Sequence, residues 1–340
     1  MTDLFVTNYN PRFTGVSATA ANVIRAQTAR YPLVLVGHAL PGCPAPITKQ
    51  AANAASRTPP PAQPFAIWHV RRNPEMRHAI WLRDVRRMPI KIVFTSAAQR
   101  RHSVYPRWLI SRMDAVIATT DKAAEFVPHV RAIVPHGVDT QMFTPATDRA
   151  AAWRALGYGG THGIATIGRI RPEKGTDTFV DAMLRFLPQN PDATALVIGR
   201  AGTKHQSFLK GLQDKVGAAG LAGRLLFVGE IPAEKLPAVT RALSLIMQLP
   251  RYEGYGMVPL EGLASGVPFV ATDTGYYRIF SDGGSIGTIV ADAAQAAEAA
   301  SALLSRPNLA ETARHIAETR FSAAAETDGI NAVYQSLWHT

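Results

Sequence analysis

The feature that most constrains this chain is an alternation of short apolar runs with stretches of helical periodicity. In the first 145 residues, runs rich in Val and Ile fall at 3–8, 33–38, 65–69, 90–95, 115–118 and 132–134. Helical patterns such as 17–29 and 74–87 lie between them, and the Pro-rich stretch 44–64 reads as an exposed loop. Short runs without a polar face read as buried parallel strands. After Pro145 the pattern restarts, with strand candidates at 163–168, 193–198, 225–229, 243–249, 268–272 and 288–290. Helical patterns at 176–187, 206–216, 234–242 and 258–264 separate these, and the Ala-rich tail from 293 to 338 reads as two or three helices. Strands linked through helices require a parallel sheet covered on both faces. The expectation is therefore α/β: two doubly wound, Rossmann-like domains, 1–145 and 146–318, facing a central cleft. Residues 319–340 are expected to form a helix that packs back on the first domain. Ligands of such sheets lie beyond the carboxyl ends of the strands.

The single Cys43 excludes a disulfide framework and suggests a reducing compartment. The first residues carry an acid and no long apolar run, unlike a secretory signal, and no run of about 18 apolar residues suggests a spanning helix. The expected location is cytoplasmic, with peripheral contact on the inner face of the cytoplasmic membrane. Charge is uneven. Residues 71–112 hold ten Arg and Lys91 against Glu75 and Asp84, a net +9 of the formal +11. Two acids cannot pair eleven bases, so this segment favours a polyanion: a phosphorylated glycolipid, an anionic leaflet or nucleic acid.

Two segments carry the chemistry. In 251–266, RYEGYGMVPLEGLASG, a strand ends, a Gly loop turns and a helix begins near Met257 with Pro259 in its first turn. Amides at such a start attract anions. Glu253 in the loop and Glu261 one turn into the helix are each able to accept hydrogen bonds from a pair of sugar hydroxyls. In 164–175, IATIGRIRPEKG, a strand and Gly turn place Arg169 and Lys174 on one crossover, a pair suited to a diphosphate. The Arg12–Ala18 segment, with Gly15 and Val16, is a Gly loop between the first strand and first helix, without dinucleotide-binding spacing. His69 ends a strand at IWHVRR, where a histidine is either structural or a substrate contact.

Together these segments resemble the retaining GT-B glycosyltransferases of family 4. Glu253 and Glu261 match that family's Glu–seven residues–Glu motif, and Gly168, Arg169, Lys174 and Gly175 its Gly-Arg…Lys-Gly segment. PHGVDTQMFTP at 135–145 is similar to its closing segment before the linker, and DAVIATT from Asp114 to the strand before that. The resemblance implies that Arg169 and Lys174 contact a donor diphosphate, Glu261 the ribose and Glu253 the transferred sugar. Gly256 and Met257 offer amides, Gly15 and Val16 approach the diphosphate, Glu230 and Ile231 lie near the base, and His69 sits beside the sugar. Thr274–Phe280 departs from the family's usual Gly-Gly-x-x-Glu. IWHVRRNPEMRHAIWLRDVRR, KIVFTSAAQRRHS and the Arg12 loop further resemble lipopolysaccharide core mannosyltransferases, implying GDP-mannose as donor and a Kdo-containing lipid A core precursor as acceptor.

No Asp-x-Asp occurs and no residues have metal-ligand spacing, so no metal and no cofactor beyond the nucleotide sugar is expected. Leaving-group charge then falls to Arg169, Lys174 and helix dipoles. Glu253 is assigned to binding, so retention implies front-face substitution in which the leaving phosphate assists removal of the acceptor proton. The expected partners are a nucleotide-sugar donor, an anionic glycolipid acceptor and the anionic leaflet, with no specific nucleic acid. Competing readings are a nucleotide-sugar epimerase or phosphorylase on the same scaffold, and a basic nucleic-acid-binding protein. The first would turn over donor without acceptor; the second would bind DNA despite excess nucleotide sugar.

Overall fold

The computed structural model describes residues 2–12 and 14–339. They divide into two compact units: residues up to Gly137 together with those from Phe321 onward, and Val138–Arg320.

The first unit holds a six-stranded parallel sheet of β1 (Leu4–Asn8), β2 (Leu33–Gly37), β3 (Ala66–Val70), β4 (Ile90–Ser96), β5 (Ala115–Ala118) and β6 (Val130–Ile133), in the order β2-β1-β3-β4-β5-β6. Alternate residues of each strand feed two different cores, because successive side chains leave opposite faces. Phe5, Trp68, Val70, Ile92 and Phe94 pack on one face with the Asn73–Ile80 helix. Leu4, Val6, Ile67, Val93 and Ile117 pack on the other with the Gly15–Gln27 helix. Both faces are thus apolar, which is why the strands read as continuous hydrophobic runs.

The C-terminal helix Ala323–Trp338 completes that second face with Ile330, Val333, Tyr334 and Leu337. Polar contacts help fix it. Gln27 Nε2 donates to Asn331 Oδ1 at 2.9 Å, and Trp338 Nε1 donates to the Phe65 carbonyl at 3.1 Å. The buried Glu326 carboxylate takes His136 Nδ1 at 2.7 Å and the Gly137 amide at 2.8 Å.

The second unit holds β7 (His162–Ile167), β8 (Ala193–Ile198), β9 (Leu225–Gly229), β10 (Leu245–Gln248), β11 (Phe269–Thr272) and β12 (Gly287–Val290), in the order β12-β11-β10-β7-β8-β9, all parallel. Its main core gathers Ile164, Ala195, Val197, Leu245 and Met247 against Phe179, Met183 and Phe186 of the Thr176–Phe186 helix and Ala300 and Leu303 of the Ala293–Leu304 helix.

The local structure departs from the expectation in several places. The first unit ends at Gly137 and not near Pro145. Residues 138–145 go with the second unit because Arg314 Nη2 donates to the Thr140 carbonyl, and Arg314 Nη1 to those of Phe143 and Ala264. The expected loop 44–64 contains a helix, Lys49–Ala55, capped by Thr48 Oγ1 accepting from the Ala51 amide at 3.1 Å. The 74–87 helix becomes an α-helix over Asn73–Ile80 and a π-helical turn over Trp81–Val85. Helices at Val104–Ser111 and Arg149–Leu156 were not anticipated.

Replacing Glu326 with Ala leaves the His136 ring and the Gly137 amide without their buried acceptor. The variant should lose about 1–3 kcal/mol of stability in urea unfolding, and Glu326→Gln, which keeps one carbonyl, should lose less.

Candidate functional site

In the second unit, β7 leads through the Thr176–Phe186 helix to β8 on one side, while β10 lies on its other side. The chain therefore reverses direction across the sheet between β7 and β10, the position where doubly wound sheets leave a crevice at their carboxyl edge. Both sequence motifs converge there. Gly168 to Lys174 follows β7, and Arg251 to Gly256 follows β10. Gly175 seals the junction with φ +66°, and a Cβ there would lie 1.7 Å from the Leu249 carbonyl oxygen. The loops are then tied by the Arg251 amide donating to the Glu173 carbonyl and by the Arg251 guanidinium on Asp177 at 2.7 and 2.9 Å.

Within this frame Lys174 Nζ donates to Glu253 Oε2 at 2.5 Å, both side chains being partly buried. Glu253 Oε1 accepts from the Gly254 amide at 2.9 Å. Eight residues on, Glu261 lies in the Met257–Ala264 helix. Its carboxyl has no hydrogen-bond partner among the described residues, and burial raises its pKa to about 7. A desolvated, unpartnered carboxyl holds its proton until donors arrive. Arg169 is exposed and makes no ion pair among the described residues. Glu230 and Ile231 follow β9, the edge strand two places from β7, with Glu230 3.7 Å from Arg200.

The helix that carries Glu261 starts at Gly256, whose φ of +96° is accessible to glycine at little cost. Under it lies Tyr277; a Cβ on Gly256 would sit 2.1 Å from that ring. Tyr277 belongs to the 274–280 segment, where the chain departs from the family pattern. That segment supplies an aromatic brace. The Tyr276 amide donates to the Tyr255 carbonyl at 2.9 Å, and the Tyr255 and Tyr276 rings stack at 5.3 Å. Burial, with the Glu253 charge nearby, pushes the Tyr277 phenol well above its usual range, so it stays protonated. The sequence showed the missing Glu but gave no sign that three aromatic residues would take over support of the motif.

In the first unit the corresponding reversal lies between β1 and β3. Gly15 and Val16 open the Gly15–Gln27 helix there, and nothing stands within 4 Å of a Cβ on Gly15. Phe13 of the same loop lies outside the described residues. The loop is pinned by Arg72, which was not singled out from the sequence. Its Nη2 donates to Ser17 Oγ at 3.0 Å, and its Nη1 reaches Asn8 Oδ1 and Glu75 Oε1, each at 3.1 Å. Glu75, fully buried, also accepts from Thr7 Oγ1 and the amides of Tyr9 and Arg71.

The substrate-contact reading of His69 needs correction. Its side chain is fully buried, with Nδ1 2.5 Å from Tyr334 Oη and Nε2 2.7 Å from Thr95 Oγ1. Both ring nitrogens are engaged, and burial lowers the pKa well below the usual histidine value. Here His69 is a neutral structural histidine. Its partner Tyr334 lies 265 residues away in the C-terminal helix, a contact that no local pattern signals.

The basic run is partly consumed by structure. Arg71 is buried, Arg72 pins the loop, and Arg83 and Arg112 pair with Asp84 and Asp114. Arg101 and Arg107 remain beside exposed Val104, Tyr105 and Trp108 on and before the Val104–Ser111 helix. Among the described residues no helix is long and apolar enough to cross a membrane.

Two Rossmann-like units with a carboxylate–lysine site at a sheet reversal define the GT-B class of glycosyltransferase fold. Solved structures agree at the level of fold: Anabaena Alr3699/HepE in complex with UDP gives a TM-score of 0.81 at 16% identity, over 99% of this chain and all of that one. The lipopolysaccharide outer core galactosyltransferase WaaB, in its apo form, gives 0.68 at 14%, over 98% and 99%. The family model "Glycosyl transferases group 1" matches residues 158–320. The chain is 40% identical to the lipopolysaccharide core biosynthesis mannosyltransferase LpsB of Rhizobium meliloti, over 98% of this chain and 97% of that one. It is 38% identical to LpcC, of the same description, from Rhizobium leguminosarum bv. viciae, over 98% and 96%. The chain belongs to the group 1 glycosyltransferases and is a glycosyltransferase.

Because Gly256 lies on the Tyr277 ring with positive φ, Gly256→Ala must displace either the ring or the start of the Glu261 helix. We expect a stability loss of about 1–3 kcal/mol in thermal unfolding together with weakened nucleotide-sugar binding by calorimetry. Unchanged values for both would refute this packing argument.

Proposed function

We propose that the protein is a retaining mannosyltransferase that moves mannose from GDP-mannose to a lipopolysaccharide core or lipid A precursor. The observation that carries the reading is the convergence of Lys174, Glu253 and Glu261, with the exposed Arg169, on the β7–β10 reversal. The near full-length likeness to two lipopolysaccharide core mannosyltransferases supports the choice of sugar and acceptor.

In this reading Arg169 and Lys174 bind the diphosphate and stabilise the charge that builds as it leaves. Glu253 receives the hydroxyls of the transferred sugar, and Glu261 those of the ribose. The amides of Gly256 and Met257 face the sugar and phosphate, Gly15 and Val16 approach the diphosphate, and Glu230 and Ile231 border the base. No metal is required, since cationic side chains and helix N-termini supply the positive potential. Glu253 is held between Lys174 and the Gly254 amide, which fixes where its carboxylate oxygens lie. The bond from mannose C1 to the diphosphate then breaks as the acceptor hydroxyl oxygen bonds to C1 on the same face, and GDP departs with a phosphate oxygen taking the acceptor proton.

The Val104–Ser111 surface suits peripheral contact with an anionic leaflet. Trp108 and Tyr105 stack at 6.3 Å and stay about half exposed, and Arg101 and Arg107 lie beside them. Aromatic rings at headgroup level with nearby cations are the features that hold a protein on such a surface.

GDP-, UDP- and ADP-sugars compared by thermal shift should single out GDP-mannose, and a ligand at 100 times its dissociation constant stabilises by about 2.7 kcal/mol. With acceptor present, Lys174→Ala, Arg169→Ala and Glu261→Ala should each cut turnover by about 10²–10³-fold. Preference for another base, or donor turnover without acceptor, would overturn the reading.

Glu261 adds a pH signature. In the free protein its pKa is raised to about 7 from the unfolded value of 4.5, so its burial costs least below 4.5 and lowers stability as pH rises towards 7. Ribose hydroxyls donating to the carboxylate favour the ionised form. Donor binding should therefore release a proton and strengthen between pH 5.5 and 7.5, as read by calorimetry in two buffers, and Glu261→Gln should abolish the release.

Sedimentation with vesicles should show binding to phosphatidylglycerol but not phosphatidylcholine, weakened by salt and lost when Trp108 and Arg107 are both replaced by Ala. Equal partitioning to both lipids would remove the electrostatic argument.

A further inference from the structure

We propose that a cavity between Lys49 and the Asn73–Ile80 helix of the first unit is a subsite for an anionic sugar residue of the acceptor, a pyranose bearing a carboxylate or phosphate. The inference rests on the glycolipid-acceptor reading and gives that acceptor a recognised chemical group. The cavity measures about 450 Å³ and is lined by Lys49, Pro74, Arg77, His78 and Trp81. It is an open cleft, with Lys49, Pro74, Arg77 and Trp81 all exposed.

Its charged lining is cationic. Lys49 Nζ is held 4.0 Å above the Tyr9 ring by a cation–π contact, which places the ammonium without neutralising it. Arg77 makes no ion pair among the described residues. Glu75, the acid of the same helix, is fully buried and turned to Thr7, Tyr9, Arg71 and Arg72. His78 Nδ1 lies 2.5 Å from Tyr9 Oη. Burial, with Glu75 nearby, raises the Tyr9 pKa, so the phenol keeps its proton. The His78 ring stays neutral because burial and Lys49 lower its pKa to about 4. Two positive charges and a neutral imidazole thus meet with no acid among the lining residues.

The walls exclude two simpler ligands. Pro74 and the Trp81 indole are apolar, and Trp81 is 40% exposed although it stacks on His78 at 6.3 Å. Arg86 lies over the Trp81 ring at 5.4 Å and helps fix it. A free phosphate makes no use of an indole wall, and a neutral sugar makes no use of two unpaired cations. A sugar ring with an attached anion uses both, its C–H face on Trp81 and its charge between Lys49 and Arg77. None of this lining was anticipated from the sequence beyond the membership of Arg77 in the basic run.

The test titrates the ¹⁵N-labelled full-length protein with glucuronate, methyl glucoside and inorganic phosphate, following the tryptophan indole N–H signals. Glucuronate should shift the Trp81 signal, assigned by its loss in Trp81→Phe, at least tenfold more tightly than methyl glucoside or phosphate. Lys49→Ala and Arg77→Ala should each weaken it about tenfold and raise the acceptor KM more than they change kcat, with nucleotide-sugar thermal shift as the folding control. Phosphate binding as tightly as glucuronate would overturn the sugar assignment. Equal binding of methyl glucoside, or glucuronate binding that survives the double variant, would overturn the site. The titration needs no turnover, so its failure is separable from failure of the GDP-mannose reading, which the donor screen decides.

Discussion

The constraint on which the structure depends is that each sheet is wholly parallel. A parallel strand cannot return by a hairpin, so every crossover passes over a face of the sheet and every strand ends at the same edge. All residues that follow a strand's carboxyl end are therefore delivered to one side of their unit. Where strand order reverses, at β7–β10 and at β1–β3, neighbouring crossovers leave in opposite directions and the edge stays open. Lys174 and Glu253 are 79 residues apart and meet for this reason. The chemistry of the site is a consequence of topology before it is one of side chains.

That the edge is open does not by itself hold a carboxylate and an ammonium in position. The second unit does so with backbone: Gly175 allows the β7 crossover to press on the end of β10, and Gly256 allows the Glu261 helix to start directly over Tyr277. The two glycines serve close approach, while Arg251 on Asp177 and the Tyr255–Tyr276 stack hold the loops from either side. A loop carrying binding residues is useful in proportion to how rigidly its neighbours support it.

Much of this was legible in the sequence, and the legible part has a common cause. Strand runs, the order of motifs and the positions of Glu253, Glu261 and Lys174 depend on patterns within a few tens of residues. What escaped depends on contacts between distant segments. His69 was left open between a structural role and a substrate contact because its partner Tyr334 stands in the last helix, and Arg72 was one base among many in the run although it ties β3 to the Gly15 loop. The helix within 44–64 was hidden by prolines that in fact flank it, Thr48 supplying the cap. The boundary near Pro145 was misplaced because Arg314, far along the chain, binds the carbonyls of Thr140 and Phe143.

The two acids of the site differ in a way that bears on how a donor is received. Glu253 already has its counter-charge, since Lys174 and the Gly254 amide surround it. Glu261 has none, and its proton is the substitute. A ligand carrying a diphosphate and two sets of hydroxyls changes both conditions at once. In the proposed donor complex the phosphate competes with Glu253 for Lys174, and the hydroxyls give each carboxylate new donors. Neither change is favourable alone: taking Lys174 from Glu253 leaves a partly buried charge unpaired, and ionising Glu261 without donors costs desolvation energy. A free phosphate or a free sugar makes one change without the other. On the proposed reading, discrimination in favour of the intact nucleotide sugar follows from the unequal partners of two otherwise similar glutamates, one turn of helix and a short loop apart.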